Sequence, residues 1–173
     1  MRKKSQTLLG VAGALVLTAT GAGVALAGNS EGGQLDQGYR HGTEVIRFEA
    51  RPVHLEFLDH STKGISAGDS HTFSNDMYQN GKKIGFDGGN CVNERVTEKE
   101  VIVNCQDVIK LPDGQITVAF IRVDPIGAPP SGKFSGAITG GTGKYRNARG
   151  ELVVDPGNSQ AHSTTIYLEK GRH

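Results

Sequence analysis

From Thr43 onward, the sequence alternates apolar with polar or β-branched residues and never shows a helical period over ten residues or more. A period of two is typical of strands, because successive side chains point to opposite faces of a sheet. Turn sequences such as Asn80-Gly81 and the Pro-Asp-Gly at 112–114 divide the region into short pieces. The predicted strands cover residues 44–50, 53–59, 70–79, 83–96, 101–111, 115–123, 134–139, 150–154 and 163–169.

About eight short strands with no helix between them predict an all-β fold, and a closed antiparallel β-barrel fits better than a sandwich. Closure removes the exposed edges that a small sheet must otherwise protect. The absence of Trp disfavours an immunoglobulin-type sandwich. Pro52 is tolerated at an edge or a bend, so residues 44–59 form either two strands or one bent strand. Gly88-Gly89 is expected to permit a bulge or a sharp coil.

The first 27 residues have the three regions of a secretory signal peptide. A basic start at residues 2–4 precedes an apolar stretch at 8–24, and a small-x-small end predicts cleavage after Ala27. A retained membrane anchor is the alternative, which the short, glycine-rich apolar stretch disfavours. Residues 28–42 are polar and predict a disordered leader, and 43–173 then form a single barrel domain. The protein is predicted to be secreted, with no membrane association after cleavage.

The charge of the chain gives no support for a nucleic-acid partner. The full sequence has a net charge of +1, and loss of the three basic residues of the signal peptide lowers this to −2. Nucleic-acid binding needs a basic surface, often with interleaved aromatic residues, and the sequence shows neither. The 146 residues after Ala27 suffice for one domain with a single core.

The two cysteines, Cys91 and Cys105, predict a disulfide. An even count in an exported chain favours a bridge over free thiols. A turn at Glu98 lies midway between them, so a symmetric hairpin places them directly opposite each other. The alternative is a free thiol on the inner wall of the barrel. Because a bridged cysteine cannot act as nucleophile or acid, the disulfide and a catalytic Cys91 exclude one another.

Both faces of the predicted hairpin at residues 101–123 are rather apolar. Pairing centred on the turn places Asp107 opposite Ala119, as a polar residue on a mostly apolar face. The other face, which includes Phe120 and Arg122, is also apolar enough to need a cover. A homo-oligomer, either a trimer or a dimer, would provide one.

Residues 137–150 form a glycine-rich run between two predicted strands. Its Gly-Thr-Gly-Lys invites comparison with a phosphate-binding loop, but such a loop needs Ser or Thr after Lys144 and a helix beyond it. Tyr145 follows instead, and a strand begins near Gly150. The run therefore indicates a tight backbone path with a structural role.

The glycine-rich run resembles the signature shared by dirigent proteins and allene oxide cyclases. Further elements occur in the same order as in those families, over about residues 53–169. They are the segments 68–69, 72–75, 80–86, 89–92 and 137–143, followed by Gly150. The resemblance implies a closed antiparallel β-barrel, without a cofactor, whose interior binds a small apolar molecule, lipid-like or phenolic. In the cyclase branch it implies ring closure directed by the shape of the cavity.

The resemblance also implies candidate site residues. By position, Asn75 matches a cavity asparagine that holds a water molecule, Glu56 a cavity glutamate and Cys91 a cavity cysteine. Glu56 and Asn75 are the candidate catalytic residues. The candidate ligand-binding residues are Phe73, Met77 and Asp107.

Other readings of these residues stay open. Alternation allows Glu56 to face either the lumen or solvent, and Asn75 either lines the cavity or caps a turn. Leu58 stands where the cyclases have a second asparagine, which argues against allene oxide as the substrate. The six histidines show no spacing that places three on one face, so no metal site is predicted.

Two function hypotheses follow. The first is a secreted, cofactor-free isomerase, cyclase or dirigent-like guide that holds a reactive substrate in one conformation, and it depends on Glu56 and Asn75 facing inward. The second is a non-catalytic ligand carrier or structural protein that uses the same cavity. Convergence of Glu56 and Asn75 on an open lumen favours the first hypothesis, and a packed lumen favours the second.

Overall fold

The computed structural model describes residues 42–60, 63–128, 132–158 and 160–169. The predicted signal peptide at 1–27 and nearly all of the predicted leader at 28–42 lie outside these residues. The first strand begins at Thr43, where the sequence predicts the start of the barrel domain.

The described residues form eight strands and one short helix. The strands are β1 (Thr43–Leu58), β2 (Ser70–Gln79), β3 (Lys82–Val96), β4 (Glu100–Leu111), β5 (Gly114–Pro125), β6 (Phe134–Gly141), β7 (Gly150–Asn158) and β8 (Ala161–Glu169), with a 3-10 helix at Gly143–Tyr145. The prediction of an all-β fold is confirmed, and residues 44–59 belong to a single strand over most of their length. Within the described ranges, no helix has the length and apolar character that crossing a membrane requires.

Each strand pairs antiparallel with the next one along the chain, and β1 pairs antiparallel with β8. The eight strands thereby form a closed barrel, as the sequence predicts. The β1–β8 ladder joins Thr43 to Glu169 at one end and Ala50 to His162 at the other. Inner and outer side chains alternate along each strand, so every strand contributes to the lumen.

Apolar side chains fill the lower half of the barrel, which is the half nearest the start of β1. Met77, Ile109, Ile116 and Ile166 have no exposed surface. Burying a side chain of this size contributes roughly 1.5–3 kcal/mol to stability. Around them pack Phe48, Leu111, Val118, Ile138, Leu152 and Leu168. This part of the lumen is a packed core.

The glycine-rich run at 137–150 seals the lower end of the barrel, which we call the closed end. The backbone N–H of Lys144 donates to the carbonyl oxygen of Asp113, in the β4–β5 turn, at 2.9 Å. Gly143 has a φ of +60°, and a Cβ there would lie 2.2 Å from the same oxygen. Tyr145 is buried in the core cluster. The run therefore has a structural role, as the sequence predicts.

The upper end of the barrel is only partly enclosed. β8 pairs with β1 as far as Ala50, although β1 continues beyond it. Likewise, β6 pairs with β5 as far as Ala119, although β5 continues. Residues 51–58 and 120–125 therefore have, within the described chain, a strand partner on one side only. The upper parts of β1–β5 form a half-barrel, which we call the open end.

A disulfide lies at the open end. Cys91 and Cys105 face each other on β3 and β4, with Cα atoms 4.1 Å apart. Both are buried, and they pack with Val101 and Val103 in a second apolar cluster. The predicted bridge is confirmed, and the alternative of a free thiol is excluded.

The pairing of β4 with β5 differs by one residue from the prediction. Asp107 lies opposite Val118 rather than Ala119, because the turn between the strands holds only two residues. A slip of one residue reverses the face of every side chain on a strand. Arg122, which the predicted register places away from Asp107, lies opposite Val103 on the inner face.

Candidate functional site

Aromatic and apolar side chains of β1 and β2 line the inner face of the open end. Leu55 pairs with Phe73 and Phe57 pairs with His71, so all four point to the same side of the sheet. Phe73 packs against the cluster that contains the disulfide, which identifies this side as the inner one. Leu55 and Phe57 are 56% and 72% exposed, so this wall is accessible.

Two further rings line the wall across the half-barrel. Phe120 lies opposite Cys105 on the inner face of β5, and its ring centroid is 5.2 Å from that of Phe134 on β6. Both rings are partly buried. With Phe57 and Phe73, four aromatic rings lie on the inner faces of their strands above the core.

Gly89 makes room for one of these rings. A Cβ at this position would lie 2.6 Å from Cζ of Phe73 and 2.4 Å from the carbonyl oxygen of Gln106. The bulge expected at Gly88-Gly89 is not found, since both residues stay in register with β2 and β4, and the irregularities of β3 lie between Lys83 and Gly85 and between Asn93 and Arg95. The glycine is needed because a ring crosses the strand at this point.

A buried polar cluster lies beneath the rings, one layer above the apolar core. Oδ1 of Asp87 accepts hydrogen bonds from the backbone N–H of Asn75 at 2.8 Å and from its Nδ2 at 2.7 Å. Asp107 lies on β4, opposite Gly89. Its Oδ1 is buried and has no hydrogen-bond partner among the described residues. Asn75, Asp87 and Asp107 are 7%, 5% and 7% exposed.

Burial changes the acidity of both carboxyl groups. It raises the pKa of Asp107 to about 8, and the nearby charge of Asp87 acts in the same direction. Burial raises the pKa of Asp87 to about 6, although the hydrogen bonds from Asn75 favour its ionised form. Because Asp87 accepts two hydrogen bonds from Asn75 and Oδ1 of Asp107 accepts none, a proton shared by the pair resides preferentially on Asp107 and the negative charge on Asp87. Such a pair contains an acid and a base side by side.

At the rim of the open end, Arg122 and Asp124 form an ion pair on the inner face of β5. Nη2 of Arg122 donates to Oδ2 of Asp124 at 2.7 Å, and Nε lies 2.7 Å from Oδ1. The guanidinium carbon of Arg122 is 5.4 Å from the centroid of the Phe134 ring. The pair thus places a compensated positive charge beside the aromatic wall.

His71 lies at the same rim, with its ring centroid 5.3 Å from that of Phe57. Burial lowers the pKa of His71, and the charge of Arg122 lowers it further, against the opposite effect of Asp124. The imidazole is therefore neutral at pH 7 and can donate or accept a hydrogen bond. In the described part of the chain, no three His, Cys, Asp or Glu side chains form a group that would hold a metal ion.

The sequence matches the family described as the allene oxide cyclase barrel like domain over residues 51–166, which is more than half of the chain. The chain belongs to this barrel family. The resemblance inferred from the sequence motifs is thereby confirmed, together with the fold that it implies. A search among curated proteins found no match.

Solved structures share the fold of this allene oxide cyclase-like barrel. The chain is 28% identical to pyocyanin demethylase, with a TM-score of 0.62 over 72% of this chain and 99% of that one. The Diels–Alderase AbmU from Streptomyces koyangensis is 14% identical, with a TM-score of 0.56 over 73% and 69%. A pterocarpan synthase dirigent protein is 15% identical, with a TM-score of 0.54 over 73% and 88%. The last two show the fold alone.

Three of the predicted site residues of the allene oxide cyclase-like barrel come together. Asn75 and Asp107 belong to the polar cluster, and Phe73 lies in the wall above them. Met77 lies one layer below Asn75, has no exposed surface and belongs to the packed core. The bridged Cys91 supports the wall.

Glu56 does not join this cluster. β1 has a register shift between Pro52 and His54, where proline cannot donate to the ladder. Even-numbered residues face inward before this bulge and odd-numbered residues after it. Glu56 therefore lies on the outer face, with a side chain that is 62% exposed and 3.7 Å from His54. The expected convergence of Glu56 with Asn75 is not found.

Sequence reasoning missed four residues of the site. They are His71, Asp87, Arg122 and Asp124. A signal for Asp87 was available, because residues four apart on a strand share a face and Asp87 precedes the bridged Cys91 by that distance. A signal for Arg122 was the two-residue turn before β5, which sets the register.

Proposed function

We propose that this barrel binds a small, largely apolar, aromatic molecule at its open end and catalyses proton transfer on it. Asp107 acts as the acid, Asp87 as the neighbouring base, and Asn75 holds Asp87 in place. The aromatic wall fixes the orientation of the molecule. Isomerisation or ring closure of a bound substrate is the reaction class that such a site serves, because the product differs from the substrate only in connectivity and proton position.

The observation that carries this proposal is the unpaired Oδ1 of Asp107 at the floor of the aromatic wall, which has no partner among the described residues. A buried polar atom without a partner costs about 1–3 kcal/mol of stability. A ligand with an oxygen or nitrogen acceptor would remove that cost by accepting a hydrogen bond from the protonated carboxyl group. Because the layer below is packed, the ligand enters only as far as Asp107.

Proton balance within the site is simple. Asp107 donates its proton to an acceptor atom of the ligand, and Asp87 accepts a proton that the ligand releases elsewhere. Transfer of one proton between the two carboxyl groups then restores the starting state. The raised pKa values of about 8 and about 6 suit this exchange near neutral pH.

The nature of the ligand is supported by the similar proteins. Pyocyanin demethylase is named for pyocyanin as its substrate. It is 28% identical to this chain, and the match covers 99% of the demethylase and 72% of this chain. An aromatic ligand agrees with the four rings of the wall, since aromatic rings stack on or pack edge to face with one another. Pyocyanin is therefore a suitable first probe.

We also propose that the protein is secreted. The signal-peptide pattern of residues 1–27 and the disulfide between Cys91 and Cys105 support this location, because disulfides persist in oxidising compartments.

The test combines binding with turnover. Small molecules that copurify with the protein are identified by mass spectrometry, and pyocyanin is titrated by calorimetry as a defined probe. In Asp107→Asn the amide still donates a hydrogen bond but cannot transfer a proton. We expect this variant to bind pyocyanin within a few fold of the wild-type affinity. It should convert the copurified small molecule at least about a hundredfold more slowly than wild type. The matched control is Asp155→Asn, an exposed carboxylate away from the site.

Unchanged turnover in Asp107→Asn would refute the catalytic part of the proposal. A second candidate function, a non-catalytic carrier, is favoured by the packed lower lumen. It would be identified by a bound small molecule that the protein returns unaltered. Absence of any ligand at the open end would refute both.

A further inference from the structure

The inner side chains of the open end form rows that run across β1–β5. Paired residues form the lower row, which is Leu55, Phe73, Gly89, Asp107 and Val118. The middle row is Phe57, His71, Cys91, Cys105 and Phe120. Arg122 belongs to the upper row, opposite Val103. Four residues along a strand therefore separate the level of Asp107 from that of Arg122, which is about 13 Å between Cα atoms.

The surface between Asp107 and Arg122 is apolar. The disulfide lies in the middle row, with Phe120 beside it. The ring of Phe134 is 5.2 Å from that of Phe120 and 5.4 Å from Cζ of Arg122, so it continues the wall up to the guanidinium. A ligand whose polar end meets Asp107 thus passes an apolar surface and ends near a positive charge.

Asp124 holds the guanidinium of Arg122 by one edge only. Oδ2 accepts a hydrogen bond from Nη2 at 2.7 Å, and Oδ1 lies 2.7 Å from Nε. A guanidinium has five N–H donors in a rigid plane, so this contact uses the Nε–Nη2 edge. Nη1 makes no hydrogen bond with the described residues. The Nη1–Nη2 edge, which matches the two oxygens of a carboxylate, is therefore available to a ligand.

Stability does not explain this ion pair. Arg122 and Asp124 are two residues apart on β5, so their contact joins no two strands. Their side chains are only 22% and 15% exposed, and burial costs each ion part of its hydration. Nε of Arg122 and Oδ1 of Asp124 also lack a well-formed hydrogen bond. A ligand anion that contacts Arg122 would explain why a charge is kept here.

His71 offers a second donor at the same rim. Burial lowers its pKa, and the charges of Arg122 and Asp124 act on that pKa in opposite directions. The three groups therefore lie within electrostatic range of one another. A neutral imidazole can donate its single N–H to an anion that Arg122 holds.

We propose that Arg122 binds a carboxylate of the ligand through Nη1 and Nη2, and that His71 donates to the same group. Arg122 is then a specificity-determining residue, which selects aromatic acids over neutral aromatic molecules of the same shape. Asp124 is a positioning residue that orients the guanidinium. The ligand is elongated, with an acceptor atom for Asp107 at one end and the carboxylate at the other. This inference rests on the proposed binding of a ligand at the open end, and it does not require the proposed proton transfer.

Two probes that differ in charge test the proposal. One is a biphenyl with a hydroxyl group at one para position and a carboxylate at the other, and the second has a carboxamide in place of the carboxylate. The amide is neutral but has nearly the same shape. Calorimetry at pH 7 should show that wild type binds the acid at least about tenfold more tightly than the amide.

The double variant Arg122→Gln/Asp124→Asn removes both charges and leaves neither one unpaired. It should bind acid and amide within about threefold of each other, and it should bind the amide within a few fold of the wild-type affinity. Arg122→Lys keeps the charge beside Asp124 but loses the planar fork, so the preference for the acid should fall several fold. It provides the comparison if the double variant does not give the circular dichroism spectrum of a folded barrel.

Lys83→Gln is the control, because it removes a positive charge from an ion pair with Asp76 at the start of β3, far from the rim. It should bind both probes as wild type does. His71→Phe keeps a ring beside Phe57 and should weaken binding of the acid, but not of the amide, by a few fold.

Equal affinities of wild type for acid and amide overturn the role of Arg122 and leave aromatic binding at the open end intact. A preference for the acid that is unchanged in the folded Arg122 variants also overturns it, because the carboxylate then binds elsewhere. Binding of pyocyanin without binding of either biphenyl overturns this inference alone. If none of the three molecules binds, the aromatic ligand proposed for the open end fails with it.

Discussion

The closed end and the open end of this barrel are built from neighbouring parts of the same strands, yet they differ in nearly every physical respect. At the closed end all eight strands are paired, and the glycine-rich run covers a core whose central residues have no exposed surface. At the open end β1 has no β8 partner beyond Ala50 and β5 no β6 partner beyond Ala119 within the described chain, aromatic side chains are up to 72% exposed, and two carboxyl groups are buried. One end maximises burial and the other presents polar groups to the lumen.

The difference shows how a small barrel can tolerate an incomplete half. Exposed apolar groups, a free strand edge and an unpaired buried carboxyl oxygen each lower stability. The packed core below and the disulfide beside them compensate for these costs. Local stability is therefore expected to fall from the closed end to the open end, which is the usual distribution when binding sites occupy the less stable part.

The largest expected effect is at the closed end. In Gly143→Ala the new Cβ would lie 2.2 Å from the Asp113 carbonyl oxygen, at a φ of +60°. We expect a loss of about 3–4 kcal/mol in the free energy of unfolding by urea. Gly127→Ala is the matched control, since its φ is +75° but nothing lies within 4 Å. It should lose only about 1 kcal/mol. Equal losses would show that contact at the closed end contributes little.

The next largest loss of stability is expected at the open end, on removal of the disulfide. Replacing Cys91 and Cys105 by alanine removes a cross-link between residues 14 positions apart and should lower stability by about 3 kcal/mol. Amide hydrogen exchange should accelerate first in the upper parts of β3 and β4. Earlier exchange at Tyr145 than at Val103 would reverse the proposed order of stability.

A third prediction concerns pH. Asp107 keeps its proton to about pH 8 in the folded protein but releases it near pH 3.8 when unfolded. The folded state therefore binds more protons in this window, and stability is greatest below it and falls as pH rises to about 8. Above about pH 7, where Asp87 with its pKa of about 6 is mostly ionised, Asp107 alone contributes a slope of at most about 1.4 kcal/mol per pH unit.

Asp107→Asn does not titrate and should remove that slope, so the variant gains stability relative to wild type between about pH 6 and about pH 8. Urea unfolding at both pH values measures the difference. The exposed Asp155→Asn should behave as wild type. Parallel pH dependences of Asp107→Asn and wild type would mean that Asp107 is not the protonated group.

The smallest effect on stability is expected for a substitution of Phe57, at the rim of the open end. Phe57 is 72% exposed, so Phe57→Ala should change the unfolding free energy of the monomer by less than about 0.5 kcal/mol. Because its ring belongs to the proposed binding wall, pyocyanin affinity should fall several fold. Ile121→Ala, similarly exposed on the outer face, should leave affinity unchanged. A large loss of stability in Phe57→Ala would place this ring in a packed contact.

The strands and the disulfide were predictable because their signals are local. Alternation and turn residues located all eight strands, and the turn near Glu98 placed Cys91 opposite Cys105. The glycine-rich run was correctly assigned a structural role for the same reason, since Tyr145 and the following strand exclude a phosphate-binding loop.

The site was harder to predict because it depends on which face each strand turns inward. A one-residue difference in the β4–β5 turn moved Arg122 from the outer to the inner face. The bulge beside Pro52 moved Glu56 the opposite way; Pro52 indicated an irregularity in the strand, but not the residue at which the register with β2 shifts. Asp107 was placed on the same face as Cys105 because it lies two residues from it on β4, and Asn75 was found through the resemblance to the allene oxide cyclases.

The β1–β8 ladder sets the order in which the molecule can be completed. Every other strand pair joins consecutive segments, whereas this one joins residues 43–50 to residues 162–169. Loop closure over that distance carries the greatest entropic cost in the fold, so it follows the formation of the meander β1–β8. A chain whose last strand is not yet free is therefore expected to remain an open sheet, with both of its edges unpaired until then.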